Sequence, residues 1–219
     1  MQSLCRKYVG VNVAVCESKY PQGAEKQLIK AITGREVPSG KLPIDVHCIV
    51  QNAGTTFAVY EAVQKHKPLY ERIITVSGDE AAETPQNFRV RVGTPASFLI
   101  KQVTKHPKKI GKVIFGGAMM GISAVNMEAP TTKLTSGILL LTDKDANKPQ
   151  SSECIRCARC ADFCPMGLRP YAIATALKNH ELSELGGLHT MDCIECGSCS
   201  YICPARIPLL DYCKLGKME

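Results

Sequence analysis

Apolar and polar residues change rhythm along this chain, and each rhythm predicts a different kind of element. Near the start, "YVGVNVAV" (8–15) alternates with a period of two, the pattern of a strand. "GAEKQLIKAIT" (23–33) carries its apolar residues at helical spacing and stops at Gly34, a residue suited to the left-handed turn that closes a helix. "IDVHCIVQN" (44–52) predicts a second strand. "GTTFAVYEAVQKH" (54–66) predicts a second helix, with Pro68 just beyond it. Residues 1–70 therefore read as a partial α/β domain.

The period shortens after residue 70. "ERIITVSG" (71–78), "NFRVRVG" (87–93), "KVIFGG" (112–117) and "SGILLLT" (136–142) predict short strands. "TPASFLIKQVT" (94–104) predicts a helix with Thr94 as N-cap and Pro95 at its first position. Four short strands around one helix suggest a small β-grasp-like module over residues 71–145. The polar run "DKDANKPQSSE" (143–153), with Lys148-Pro149, predicts a linker. Residues 146–219 then form a third domain, and the class is α+β multidomain.

That third domain is organised by cysteine. "CIRCARCADFCP" (154–165) returns 39 positions later as "CIECGSCSYICP" (193–204), each reading C-x2-C-x2-C-x3-C-P. A [4Fe–4S] cubane needs four thiolates around one inorganic core, and three cysteines at this spacing wrap one corner of it. In paired motifs the fourth cysteine, before the proline, ligates the other cluster. One cluster is therefore expected on Cys154, Cys157, Cys160 and Cys203, and a second on Cys193, Cys196, Cys199 and Cys164. Structural zinc favours two separated C-x2-C pairs, and disulfides need an oxidising compartment. Helical spacing in "RPYAIATALKNHELSEL" (169–185), opening at Pro170, and in "IPLLDYCKLGK" (207–217), opening at Pro208, favours an α-helical ferredoxin over a two-hairpin one.

Two such clusters relay electrons one at a time, at potentials tuned by nearby charge and hydrogen bonds. Arg156 and Arg159 lie inside the first motif, whereas the second has Glu195, Gly197 and Ser198, so the first cluster is expected at the higher potential. Cys5, Cys16, Cys48 and Cys213 are isolated and read as inert or buried thiols.

Composition narrows the function. The formal charge of +7 over 219 residues favours an acidic partner, but no Lys/Arg block with interleaved aromatics points to nucleic acid. The N-terminal stretch carries Arg6 and Lys7 within an alternating pattern, unlike a secretory signal, and twelve cysteines then suggest bound metal in a reducing compartment. The longest apolar runs fall far short of the roughly 20 residues that span a bilayer, so no direct membrane span is expected. "KHPKK" (105–109) with Lys112 is a basic cluster that can steer an acidic ferredoxin. Met119, Met120 and Met127 read as packing or interface residues. His47, His66, His106, His180 and His189 show no paired spacing and read as structural or surface residues. No catalytic residue is expected.

The run "ECIRCARCADFCPMGLRP" with "DCIECGSCSYICPARIPLLDY" resembles the ferredoxin portion of the C subunit of the Rnf electron-transport complex. "KYPQGAEKQLIKAITGREVPSG", "VQNAGTTFAVYEAV" and "GGAMMG" resemble the same protein, so the likeness covers essentially the whole chain. It implies an electron-transfer subunit of a ferredoxin:NAD oxidoreductase, a translocase that couples electron flow to Na⁺ or H⁺ movement. This chain would be an electron carrier within it, cytoplasmic and peripheral to the cell membrane through other Rnf membrane and iron–sulfur subunits. The middle segment would be an SLBB β-grasp domain. The first segment is similar to the flavin- and NADH-binding subunit of respiratory complex I, where Tyr-x-x-Gly-x-Glu and Asn-Asn-x-x-Thr stretches line the FMN site. By position these fall on Tyr20, Gly23 and Glu25, then on Gln51, Asn52 and Thr55, with Gln51 departing from the family Asn. The family's Gly-rich flavin loop lies upstream of this region and is not in the sequence, so the chain reads as the C-terminal half of such a protein. Two other readings are a cobalamin reductase of the propanediol-utilisation type and a scaffold whose clusters only hold the fold.

Overall fold

A computed structural model describes residues 8–146 and 150–219, apart from the side chain of Lys108. Cys5, the Arg6–Lys7 pair and Lys148-Pro149 lie outside the described residues. The regular elements, in chain order, are α1 (Glu25–Thr33), α2 (Ala53–Lys65), β1 (Glu71–Gly78), β2 (Gln86–Arg91), α3 (Ala96–Val103), β3 (Ile110–Phe115), β4 (Ile122–Ser123), β5 (Gly137–Thr142) and α4 (Asp143–Ala146). They continue with α5 (Arg159–Asp162), α6 (Pro170–Lys178), α7 (Glu184–Gly187), α8 (Ser198–Ile202) and α9 (Leu209–Gly216). The described residues fall into two compact units. One draws on Met1–Val50, Cys160–Cys196 and Asp211–Glu219, the other on Gln51–Arg159 and Gly197–Leu210.

In the second unit a five-stranded sheet runs in the order β2-β1-β5-β3-β4. Its central pair, β1 and β5, is parallel, and every other neighbouring pair is antiparallel. The apolar run of β5 suits that central place, since Ile138 and Leu140 are fully buried. Helix α3 lays Ala96, Leu99, Ile100 and Val103 on the same core as Ile74, Val76, Val90 and Val113. The strands expected at 71–78, 87–93, 112–117 and 136–142 are all present within two residues, and β4 is added to them.

Helix α3 begins one residue later than its sequence suggests. Thr94 is not the N-cap; its hydroxyl donates to the carbonyl of Arg91 (2.8 Å), and extended Pro95 bridges Pro130. The first N–H groups of the helix go instead to backbone, from Ala96 to Ala129 O (3.1 Å) and from Ser97 to Met127 O (2.8 Å). Where a linker is expected from residue 143, the short helix α4 follows β5 directly.

Asp79 ties the end of β1 to the end of β5. Its carboxylate accepts the N–H of Ala81 (2.8 Å) and both the N–H (2.8 Å) and the hydroxyl (2.9 Å) of Thr142. Desolvation pushes the carboxyl up, but those donors hold it, on balance, below its ordinary value. The group is therefore charged at neutral pH, and its stabilisation is lost as pH falls through the depressed folded value. Asp79→Ala is expected to cost about 1–2 kcal/mol at pH 7 and much less near pH 3. Denaturation midpoints at the two pH values measure this, and an equal loss at both would refute it.

The first unit lacks the two strands expected in it. Residues 8–15 form no strand, and Tyr8, Val9, Val11, Val13 and Val15 are all exposed. Alternation supplies the side-chain pattern of a strand but not the neighbour whose backbone must pair with it. Residues 43–46 form a 3-10 turn, opened by Pro43 and ended by His47 at φ 56°, a conformation that breaks an extended run. Helix α1 does form as its spacing predicts, and Gly34 closes it at φ 73° with an N–H to Lys30 O (3.0 Å). Helix α2, in the second unit, also forms, capped by the Asn52 side chain on the N–H of Gly54 (2.9 Å). The first unit's cysteine-bearing portion is cored by Ile173, Ala176, Leu177, Leu185 and Cys213.

Four of the histidines take left-handed backbone, His47, His66, His180 and His189. They punctuate turns and helix ends, a structural role that the lack of paired spacing only hinted at. Among the described residues no helix is long and apolar enough to cross a membrane.

Candidate metal centre

The two cysteine motifs repeat in backbone as well as in sequence. Arg156 (φ 54°) and Ala158 (φ 59°) are left-handed in the first, and Glu195 (φ 56°) and Gly197 (φ 78°) hold the corresponding places in the second. Past each Cys-Pro the match continues. Gly167 (φ 67°) and Arg206 (φ 56°) are left-handed, and their N–H groups return to the carbonyls of Cys164 and Cys203, each at 3.1 Å. Short helices α5 and α8 sit at equivalent positions within the motifs, and α6 and α9 follow them. Left-handed residues in such loops turn N–H groups inward, as that of Glu195 turns to Cys193 Sγ (3.4 Å), a setting that favours anions and sulfide-rich clusters.

In the first unit, Cys164, Cys193 and Cys196 form one electrostatic neighbourhood. Burial pushes the Cys164 thiol up, the N–H groups of Met166 and Leu168 pull it down, and the charges of Cys196 and Cys193 raise it again. Cys193 is held down to about 6, mostly by a hydrogen bond from the thiol of Cys213. The N–H of Glu195 (3.4 Å) and the positive charge of Lys217 act in the same direction, against burial and Glu195. Depressed Cys193 is ready to ligate as a thiolate. The last cysteine of the first motif thus lies with the leading cysteines of the second, as crossed ligation requires. Cys160 is buried in this unit as well.

In the second unit, Cys154 and Cys157 are exposed, Cys203 is half-buried and Cys199 is buried. Arg156 and Arg159 are both exposed. Gly197 is buried, and a Cβ there would stand 2.8 Å from the carbonyl oxygen of Met119. "GGAMMG" thus does structural work, presenting a backbone carbonyl to the one motif position that has no side chain. Of the other two methionines singled out, Met120 is exposed, and the carbonyl of Met127 receives Ser97 N–H.

None of the described cysteines is in a disulfide, and no three His, Cys, Asp or Glu side chains among the described residues converge on a single-ion site. The donors are thiols with backbone N–H groups aimed at their sulfurs, a set that fits an iron–sulfur cluster.

Two features escaped the sequence reading. Cys213 is an isolated cysteine in the chain, yet its buried thiol touches the sulfur of Cys193. Glu195 is likewise not a lone negative charge, because Lys217 donates to its carboxylate at 2.6 Å. The charge contrast expected between the motifs is smaller for it. Cys16 and Cys48 are half-buried and remain without an assigned role.

The flavin-like positions fall in separate units, Tyr20, Gly23 and Glu25 in the first and Gln51, Asn52 and Thr55 in the second. Within the first, the turn before α1 places the Tyr20 hydroxyl on the carbonyl of Cys196 (2.6 Å). Burial and the charge of Cys196 raise the Tyr20 phenol. Gln27 Nε2 donates to Pro165 O (3.1 Å), and Ser39 donates to Asp192 Oδ2 (2.6 Å). The segment before residue 40 is thereby fastened to the cysteine-bearing segment of the same unit. Gly23, Glu25, Gln51 and Asn52 are exposed, and Thr55 is half-buried. Around the basic cluster, His106 Nδ1 pairs with Glu83 Oε1 at 2.7 Å, and Lys105 and Lys109 are exposed.

Two stretches of the chain match families of known proteins. Residues 1–61 match the family described as Nuo51 FMN-binding domain, and residues 147–204 match the 4Fe-4S dicluster domain. The chain is 46% identical over 202 residues to the C subunit of the Na(+)-translocating ferredoxin:NAD(+) oxidoreductase complex of Acetobacterium woodii, covering 92% of this chain and 45% of that protein. It is 45% identical over 172 residues to the proton-translocating counterpart of Clostridium ljungdahlii, covering 78% of this chain and 37% of that one. It is 39% identical over 221 residues to the C subunit of the ion-translocating oxidoreductase complex of Yersinia pseudotuberculosis, covering all of this chain and 31% of that protein. The chain spans less than half the length of these relatives.

Proposed function

We propose, from the homology of this chain to the C subunits of ion-translocating oxidoreductase complexes, that it is an electron-transfer subunit of a ferredoxin:NAD oxidoreductase. The single observation that carries the reading is the doubled cysteine loop, with its repeated left-handed positions and with Cys164 beside Cys193 and Cys196. Cys154, Cys157, Cys160 and Cys203 hold one [4Fe–4S] cluster, and Cys193, Cys196, Cys199 and Cys164 hold the other. When bound, each cluster accepts and passes on one electron at a time. The chain's own part is to fix the thiolates, aim N–H groups at their sulfurs and hold the surrounding charge.

The domains follow the same reading, a flavoprotein-like segment over residues 1–70, an SLBB β-grasp over 71–145 and the ferredoxin over 146–219. The 2-1-5-3-4 strand order with its parallel central pair supports the β-grasp. Tyr20, Gly23, Glu25, Gln51, Asn52 and Thr55 are the positions through which a flavin would be held. Partners are the other subunits of the complex, at a membrane that this chain reaches only through them, with Lys105, Lys109 and Lys112 as a patch for an acidic ferredoxin. The relatives found favour this reading over the cobalamin reductase.

Metal and flavin content of the anaerobically purified chain tests the proposal. About eight irons with matching acid-labile sulfide are expected. Zinc in place of iron would refute it. Flavin at one equivalent would assign the FMN positions to this chain, and its absence would remove them.

A further inference from the structure

Beside the second motif, two oppositely charged side chains meet at the backbone of Cys193. Lys217, just past α9, donates from Nζ to the carbonyl of Cys193 (3.2 Å) and to Glu195 Oε1 (2.6 Å). Glu195 is the left-handed residue whose N–H reaches Cys193 Sγ (3.4 Å). Both side chains are partly withdrawn from solvent, Lys217 at 24% and Glu195 at 36% exposure, so water screens them incompletely. Helix α9 is anchored by Cys213 in the core beneath, which Cys193 also packs against, and this fixes where the ammonium stands.

We propose that Lys217 and Glu195 are a matched pair that sets the reduction potential of the cluster held by Cys193, acting through space and through the loop without touching the cluster. The proposal rests on the reading that Cys193 is a cluster ligand. Reduction adds one electron, and so one negative charge, to that cluster. The ammonium stabilises the added charge and the carboxylate opposes it, at similar range and with opposite sign. Joined, they largely cancel, and removing either uncovers the other. Lys217 thereby offsets the acidic residue that the second motif carries where the first carries Arg156.

EPR-monitored redox titration of the whole chain, purified anaerobically, tests this after iron and sulfide have been counted. Lys217→Gln is expected to lower the potential of one cluster by about a tenfold change in its reduction equilibrium, about 59 mV for one electron, and to leave the other unmoved. Glu195→Gln is expected to raise the same potential by a similar amount. Lys217→Gln combined with Glu195→Gln returns it to near the wild-type value, and Lys217→Arg keeps it there. A merely structural pair would shift both single variants in the same direction or in neither, and that result overturns the proposal. Should Lys217→Gln lose its cluster, Glu195→Gln and Lys217→Arg decide the question by the same signs. Wild-type chain that holds no iron refutes the underlying reading instead, a failure visible before any potential is measured.

Discussion

Replacing Cys164 with serine is expected to remove the cluster assembled mainly by the other motif, halving the iron content of the chain. Cys164 belongs to the first motif by sequence, but its thiol lies among those of Cys193 and Cys196 and is half-buried there. Serine keeps the size and loses the soft, readily ionised sulfur that iron and sulfide prefer. The N–H groups of Met166 and Leu168 that now point at the sulfur would be left on a poorer acceptor. The EPR signal lost in Cys164→Ser should be the one that Cys196→Ser also abolishes, and both variants should keep the same remaining signal. If Cys164→Ser instead removes the same signal as Cys157→Ser, each motif builds its own cluster and the crossed assignment is wrong.

Gly197→Ala is expected to destabilise the chain by about 2 kcal/mol or more, a large share of a typical domain's stability. The residue sits at φ 78°, where a Cβ costs about 1–2 kcal/mol, and the new carbon would stand 2.8 Å from the carbonyl oxygen of Met119. Something must move, and the neighbour is backbone rather than the end of a flexible side chain. Ala158 holds the corresponding place in the first motif, at φ 59°. Ala158→Gly should therefore be nearly neutral, since relief of strain offsets the greater freedom of the unfolded chain. Thermal unfolding of the cluster-loaded variants separates the two positions. Equal, small effects would show that the Met119 carbonyl does not constrain the loop.

The legible parts of this molecule are those whose cause is local. Regular spacing located α1, α2 and four of the five strands of the sheet, because in each case a buried face of this chain answers the apolar pattern or a cap closes the helix. Gly34 is a clear example, predicted as a helix end and found at φ 73°. Residues 8–15 show the opposite case. Their alternation is as regular as that of β1, but a strand also needs a partner, and the pattern says nothing about one. The doubled cysteine spacing was visible in the sequence, and left-handed residues repeat at matching places within it, Arg156 and Ala158 in one copy, Glu195 and Gly197 in the other.

The surroundings of those cysteines were not legible, since they come from far along the chain. Lys217 reaches Cys193 across 24 residues, and Tyr20 reaches Cys196 across 176. Met119 meets Gly197 from a loop whose glycines suggest only a turn. Cys213 shows why isolation in sequence is a poor guide to a thiol, because from α9 its side chain meets that of Cys193.

The central claim is that electrons pass through two clusters held by crossed ligand sets. Reductive titration of the anaerobically reconstituted chain, followed by EPR, tests it most directly. Two reversible one-electron cluster signals, both abolished when the iron is removed, are the predicted result. Clusters that are present but never reduce would contradict it and leave a scaffold whose iron serves only the fold.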